Sequence, residues 1–270
     1  MTTQTTLAQH IFPRSCLQHF AGRGGKLQVR VFKTGRVEHH GPHSRLFTTM
    51  RTWDQRTESS AMHEIESVFG RVAAPIRKGL VNSLRPEQHQ AVTALYALWL
   101  LRAHLARKPF PDNKLNRVWV ASEEPSDATV DKMEAHGIIT VKPGGTVLGR
   151  QIAGPQMLLD LDDARAELAG VKWGVLRAVE GAGQFWLPDS PARVLYLPVT
   201  PVIALAGGWE DGHVDREVVS SFNTAALQHA WNFVAAQDLS ACPYFAVADR
   251  TPPPDAPPPT CPSGTHPRSA

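Results

Sequence analysis

Residues 91–105, Ala-Val-Thr-Ala-Leu-Tyr-Ala-Leu-Trp-Leu-Leu-Arg-Ala-His-Leu, decide how this chain is read. Apolar side chains fall on most sides of the helix they would form, not on one stripe, and such a helix needs neighbours on several faces. The stretch therefore predicts a central, enclosed helix. Pro86 and Glu87 suit its first turn, Ser83 is the candidate cap, and Lys108-Pro109 ends it.

Just upstream, Ile65, Val68, Phe69, Val72 and Ile76 recur at three- and four-residue steps. They predict an amphipathic helix that begins near Ala61 under a cap from Ser59 or Ser60, and that Pro75 kinks or splits. Residues 42–56 show no period and read as loop. Residues 28–32 alternate apolar and polar and, through Thr34-Gly35, predict a hairpin with residues 36–39.

Downstream, residues 127–136 read as a short helix stopped by Gly137, residues 138–141 as a strand, and residues 155–168 as a helix stopped by Gly170. Glu180-Gly181-Ala182-Gly183 reads as a hairpin turn between residues 172–179 and 184–187. Residues 194–197 and 202–205 predict two more short strands, residues 215–237 one long helix, and residues 244–247 a last strand. The expected fold is α+β: central helices packed with short antiparallel strands and hairpins. Residues 1–8 read as a flexible N-terminus, 9–249 as one domain, and 250–270 as a disordered tail because repeated prolines there cannot bury a core.

The composition narrows the classes. The chain has 270 residues, 42% of them hydrophobic and 20% charged, with a net charge of +3. That charge does not by itself define a nucleic-acid-binding surface. Three cysteines, Cys16, Cys242 and Cys261, lie far apart with no CxxC pair, which suits a reducing, cytoplasmic setting. No apolar run reaches bilayer length, so no membrane partner is expected. Phosphate-binding GxxxxGK[ST], dinucleotide-binding GxGxxG, hydrolase GxSxG and zinc-binding HExxH are all missing. His39, His40 and His43 form a small histidine cluster with no carboxylate or cysteine at ligand spacing.

Four separated segments resemble a known family. They are Gln9-His10-Ile11-Phe12-Pro13 followed by Leu17 and Phe20-Ala21; Ile65-Glu66-Ser67; His104-Leu105-Ala106-Arg107-Lys108-Pro109; and Phe185 to Pro191 with Leu197-Pro198-Val199-Thr200-Pro201 and Phe222-Asn223 to Gln228. Their order and spacing resemble the bacterial domain of unknown function 4238 from about Gln9 to Gln237. Where that family carries Thr-Ser-Asp-Asn-Pro, this chain has Leu187-Pro188-Asp189-Ser190-Pro191, and the family's Gln before Arg-x-Pro is here His104.

The resemblance implies a set of polar positions: His10, Glu66, Arg107 and Asp189 as candidate catalytic residues, and Asn223, Gln228 and His104 as candidate binding residues. Two functions suit them. One is a hydrolase acting on a phosphodiester or other anionic substrate, with His10 as general acid or base, Glu66 or Asp189 orienting it or holding a divalent metal, and Arg107 countering negative charge. The other is a non-catalytic module that binds a protein or ligand, with Trp53, Trp186 and Trp209 as candidate exposed contacts. The candidate partners are an anionic small molecule or a nucleic acid and, for the module, a protein. The enzyme requires the candidate side chains to converge in one cleft, and the bland alternative is a buried ion pair between Glu66 and Arg107.

Overall fold

The computed structural model describes residues 6–116, 123–191 and 195–246. The segment read as a disordered tail, Cys261 and Val194 lie outside the described residues. Strand β1 (Ala8–His10) leads into a short helix, α1 (Arg14–Leu17), and then the hairpin of β2 (Leu27–Val31) and β3 (Val37–His40). β4 (Thr48–Met50) returns to pair with β1, and α2 (Gln55–Thr57) follows. One wide, π-type turn over Glu58–Met62 joins α2 to α3 (His63–Arg77), after which comes α4 (Pro86–Arg107). β5 (Asn113–Lys114), α5 (Asp127–Ala135), β6 (Val141–Lys142) and β7 (Thr146–Val147) precede α6 (Gly149–Glu167). The last third holds β8 (Trp173–Ala178), β9 (Leu187–Pro188), β10 (Tyr196–Thr200), β11 (Ile203–Gly207), β12 (Gly212–Val214), α7 (Arg216–His229) and β13 (Phe233–Ala236).

The fold is α+β. Two four-stranded sheets, ordered β10-β11-β8-β12 and β3-β2-β13-β9, pair antiparallel throughout except for the parallel β8–β12 contact. α4 is the enclosed helix that residues 91–105 predict: Val92, Leu95, Ala97 and Leu98 have no exposed surface, and α3 and α6 pack against it. Trp99 meets Phe12 edge-on at 4.8 Å, and Tyr96 meets Trp173 at 5.4 Å, which ties the N-terminal segment and β8 to the same core. No helix among the described residues is long and apolar enough to cross a membrane.

Several local expectations change. The helix read as starting near Ala61 begins at Gln55, because Asp54 caps it by accepting the Thr57 amide at 2.9 Å. The Ser59 and Ser60 hydroxyls donate back to carbonyls of the preceding turn. α3 runs through Pro75, whose missing N–H falls in the last turn while Val72, Ala73 and Ile76 stay buried around it. α4 is opened by Arg85, whose amide donates to Gln88, in place of Ser83. α6 starts at Gly149, six residues before Pro155, since Asp112 accepts the Gly149 amide from a distant segment. Of residues 138–141 only Val141 pairs in a strand.

The expected hairpin around Glu180–Gly183 does not form. Gly181 and Gly183 do take positive φ (79° and 99°), but the chain leaves them for the other sheet. Gln184 donates to Ala241, Phe185 to Pro201 and Trp186 to Asn223, so β8 bonds with β11 and β12 while β9 bonds with β13. The long helix over residues 215–237 likewise stops at His229, and residues 233–236 form a central strand instead. Residues 244–246 form no strand, and Val247 is outside the described residues. Ala8 pairs with Met50, so ordered pairing begins inside the stretch read as a flexible N-terminus.

Candidate functional site

α4 carries two arginines that organise the polar residues singled out from the sequence. Five positions separate Arg102 from Arg107, roughly 140° around a helix, so the two side chains leave it in different directions. Only Arg102 faces α3. It is 1% exposed, donates through Nη1 to Glu66 at 2.5 Å and through Nη2 to Glu58 at 3.2 Å, and lies over the Trp53 ring. Trp53 Nε1 in turn donates to Glu58 at 2.6 Å. The expected Glu66–Arg107 pair is therefore replaced by Glu66–Arg102, because the helix turns Arg107 away.

His10 borders this network. Its Nε2 lies 3.0 Å from the Pro42 carbonyl, which can only accept, so that nitrogen carries the hydrogen and Nδ1 is left as an acceptor. Burial holds the imidazole below its ordinary value near 6.5, an effect opposed by the Pro42 carbonyl and Glu66 and reinforced by Arg14 and Arg102. His10 is thus a neutral ring at pH 7. Because the unfolded chain takes up a proton on this residue at higher pH than the folded one, its contribution is intact above 6.5 and is lost as pH falls towards the lower folded value. His10→Gln, which retains a donor for Pro42, should flatten part of the fall in Tm between pH 7 and pH 5. His19, lowered in the same direction by burial and Arg77, retains its share of the dependence. A thermal melt series in both proteins checks this, and identical slopes would remove His10 as a source.

Arg107 points into a second place, a cleft of about 250 Å³ whose lining includes Asp189, Arg45, Trp231, Ile11 and Thr48. The Arg107 guanidinium lies over the face of Trp231, a cation–π contact that fixes its direction. Asp189 follows β9, and its two oxygens accept the amides of Trp231 and Asn232, both at 2.7 Å. Those bonds explain why α7 ends at His229. They take the two amides out of any continuing helix and turn the chain into β13. Arg45 is exposed.

Of the four candidate catalytic residues, Arg107 and Asp189 share this cleft and Glu66 belongs to the Arg102 network. His10 lines neither: it adjoins the cleft through the chain, since Ile11 follows it and Thr48 pairs with it across β1–β4, and it feels Glu66 and Arg102 only through their charge. Among the binding candidates, Asn223 is wholly buried: it accepts the Trp186 amide and donates to the carbonyls of Gln184 and Pro243, so it clamps two other chain segments to α7. Gln228 is exposed on α7, and His104 is half-buried one turn before Arg107. Trp53 and Trp186 are buried completely, while Trp209 is 45% exposed.

Among the described residues no three His, Cys, Asp or Glu side chains are grouped to hold a metal ion. His40, from the histidine cluster, is bonded to Glu38 and Ser44. Cys16 is unsuited to thiolate chemistry, because burial pushes its thiol up to about 12. Sequence reasoning passed over Arg102, Glu58, Arg45 and Trp231. Arg102 did carry a signal, being the only charged residue in the apolar run 91–105. Comparison with protein-family models, with curated proteins and with solved structures gives no significant match in any of the three.

Proposed function

We propose that the Arg107–Asp189 cleft binds an anionic ligand bearing a phosphate group, and that this recognition is the chain's primary function. The observation that carries the reading is the placement of two guanidinium groups, Arg107 and Arg45, in the lining of one small cleft. A guanidinium offers paired donors that match phosphate oxygens, and Arg107 is aimed in advance by Trp231. Asp189 shapes the cleft by holding the Trp231–Asn232 turn. A place beside the domain of unknown function 4238 family, on the four segments quoted above, and a cytoplasmic setting, suited to the free thiols of Cys16 and Cys242, belong to the same proposal.

The test is a thermal-shift titration with pyrophosphate and with a nucleoside monophosphate. A ligand that binds only the folded state raises Tm by mass action, by about 2.7 kcal/mol of stability at a hundredfold excess over Kd. Arg107→Ala and Arg45→Ala should each remove most of that shift. Equal shifts in wild type and both variants would defeat the reading.

A hydrolase acting on a phosphodiester is the second reading, favoured by the neutral His10 ring with an accepting Nδ1 next to the cleft-lining Ile11. In that role Nδ1 would take the proton of an attacking water. Hydrolysis of bis-p-nitrophenyl phosphate separates the two. Turnover abolished by His10→Gln with ligand binding retained supports the enzyme, and binding without turnover leaves the module. Running the assay with and without Mg²⁺ or Mn²⁺ tests the divalent metal.

A further inference from the structure

The two arginines are a minority of the Arg107–Asp189 cleft's lining. α4 presents Ala103, Ala106 and Arg107 on one face, since they stand three and four positions apart, so two methyl groups lie beside the guanidinium stem. Ile11, Leu46 and Phe233 add apolar surface from three other segments. This wall is held in place: the Ile11 amide donates to the Phe47 carbonyl at 3.1 Å, and the Phe233 ring meets Phe47 edge-on at 5.5 Å. Cations beside a fixed apolar wall suit a ligand with one charged end and one apolar end.

Size and hydrogen bonding narrow that ligand. At about 250 Å³ the cleft is smaller than the roughly 300–1,000 Å³ of sites that enclose drug-sized molecules. A bare phosphate, counted at roughly 30 Å³ per heavy atom, leaves about 100 Å³ over. The hydroxyls of the lining are already engaged: Thr48 and Ser190 donate to the carbonyls of Arg45 and His229, and Thr49 shares a hydrogen bond with Thr52. A sugar or polyol placed here gives up its water without gaining those donors. Asn232, the one amide side chain of the lining, is exposed to water. We infer that the ligand is a phosphomonoester whose esterified group is apolar and about one ring in size, with the phosphate on Arg107 and Arg45 and that group against the Ala103–Ala106 face, Ile11, Leu46 and Phe233. The inference rests on the cleft being a phosphate site and adds the chemistry of the rest of the ligand.

The experiment is isothermal titration calorimetry of the full chain with inorganic phosphate, glycerol 3-phosphate, phenyl phosphate and adenosine monophosphate. Wild type should bind phenyl phosphate about tenfold tighter than the other three, the return for taking most of a ring out of water. Ala106→Leu puts a larger side chain into the same wall. The position is half-buried and leucine is a good helix former, so Tm should change little. This variant should lose the tenfold advantage and keep its affinity for inorganic phosphate. Phenyl phosphate bound no tighter than inorganic phosphate by wild type, or an advantage that survives in a folded Ala106→Leu, overturns the inference. So does glycerol 3-phosphate or adenosine monophosphate bound as tightly as phenyl phosphate. The wild-type comparisons decide the matter even where the variant does not fold. Arg107→Ala separates this inference from the reading beneath it. Inorganic phosphate binding unchanged in Arg107→Ala removes the phosphate site itself, whereas phosphate binding weakened there, with no advantage for phenyl phosphate in wild type, removes only the apolar group.

Discussion

Arg102→Ala is expected to lower the unfolding free energy by about 3 kcal/mol, the lower end of the range for breaking a buried ion pair. The guanidinium is 1% exposed, while Glu58 and Glu66 keep 17% and 24% of their side-chain surface, so water can reach the two carboxylates once their cation is gone. That access is what keeps the loss from the upper end. The substitution also uncovers the Trp53 face and takes the Glu58 carboxylate's counterion away from the Trp53 Nε1 bond. Urea denaturation at pH 7 measures the loss directly. A change below about 1 kcal/mol, the size typical of a surface pair, would mean that Arg102 is no structural keystone. Arg102→Lys should recover only part of the loss, since an ammonium cannot match a planar fork that reaches two separate carboxylates.

Asp189→Ala is expected to cost about 2–3 kcal/mol, because the carboxylate accepts two backbone amides and bonds to a charged acceptor are the stronger kind. Asn232 is exposed and can rehydrate its amide, which limits the sum. Asp189→Asn keeps one accepting oxygen and should lose about half as much. Hydrogen exchange gives the sharper readout: the amides of Trp231 and Asn232 should lose protection first. Unchanged protection there would show that the turn holds itself. The role bears on function as well. A loss of ligand binding in Asp189→Ala counts as a loss of chemistry only if the variant's fold, measured in the same sample, is intact. For that reason Arg107 and Arg45 are the better probes of the cleft.

Helices were more legible than strand partners, and particular residues show why. The apolar run of α4 and the stepped pattern of α3 lie within single segments, so periodicity exposes them wherever the rest of the chain goes. The β2–β3 hairpin is equally local, closed through Gly35 at a φ of 67°. The expectation for residues 215–237 failed because Phe233-Val234-Ala235-Ala236 is as apolar as a buried helix turn, and periodicity cannot tell a short buried strand from such a turn. Asp189, more than forty residues earlier, is what ends the helix. The Glu180–Gly183 turn failed for a related reason: the glycines permit a reversal, but the donors after them are taken up by Ala241, Pro201 and Asn223.

Among the candidate site residues, the sequence by itself determined their chemical types and which segments carried them, and it determined the α+β class and the enclosed central helix. Only the tertiary structure decided their company. It gave Glu66 to Arg102, turned Arg107 towards Trp231, set Asp189 to hold a turn, and spent Asn223 on tying two chain segments to α7. The reason is physical. Helical and turn preferences act over a few neighbouring residues, whereas an ion pair or a long-range cap depends on the angle at which a side chain leaves one element and on which other element stands there.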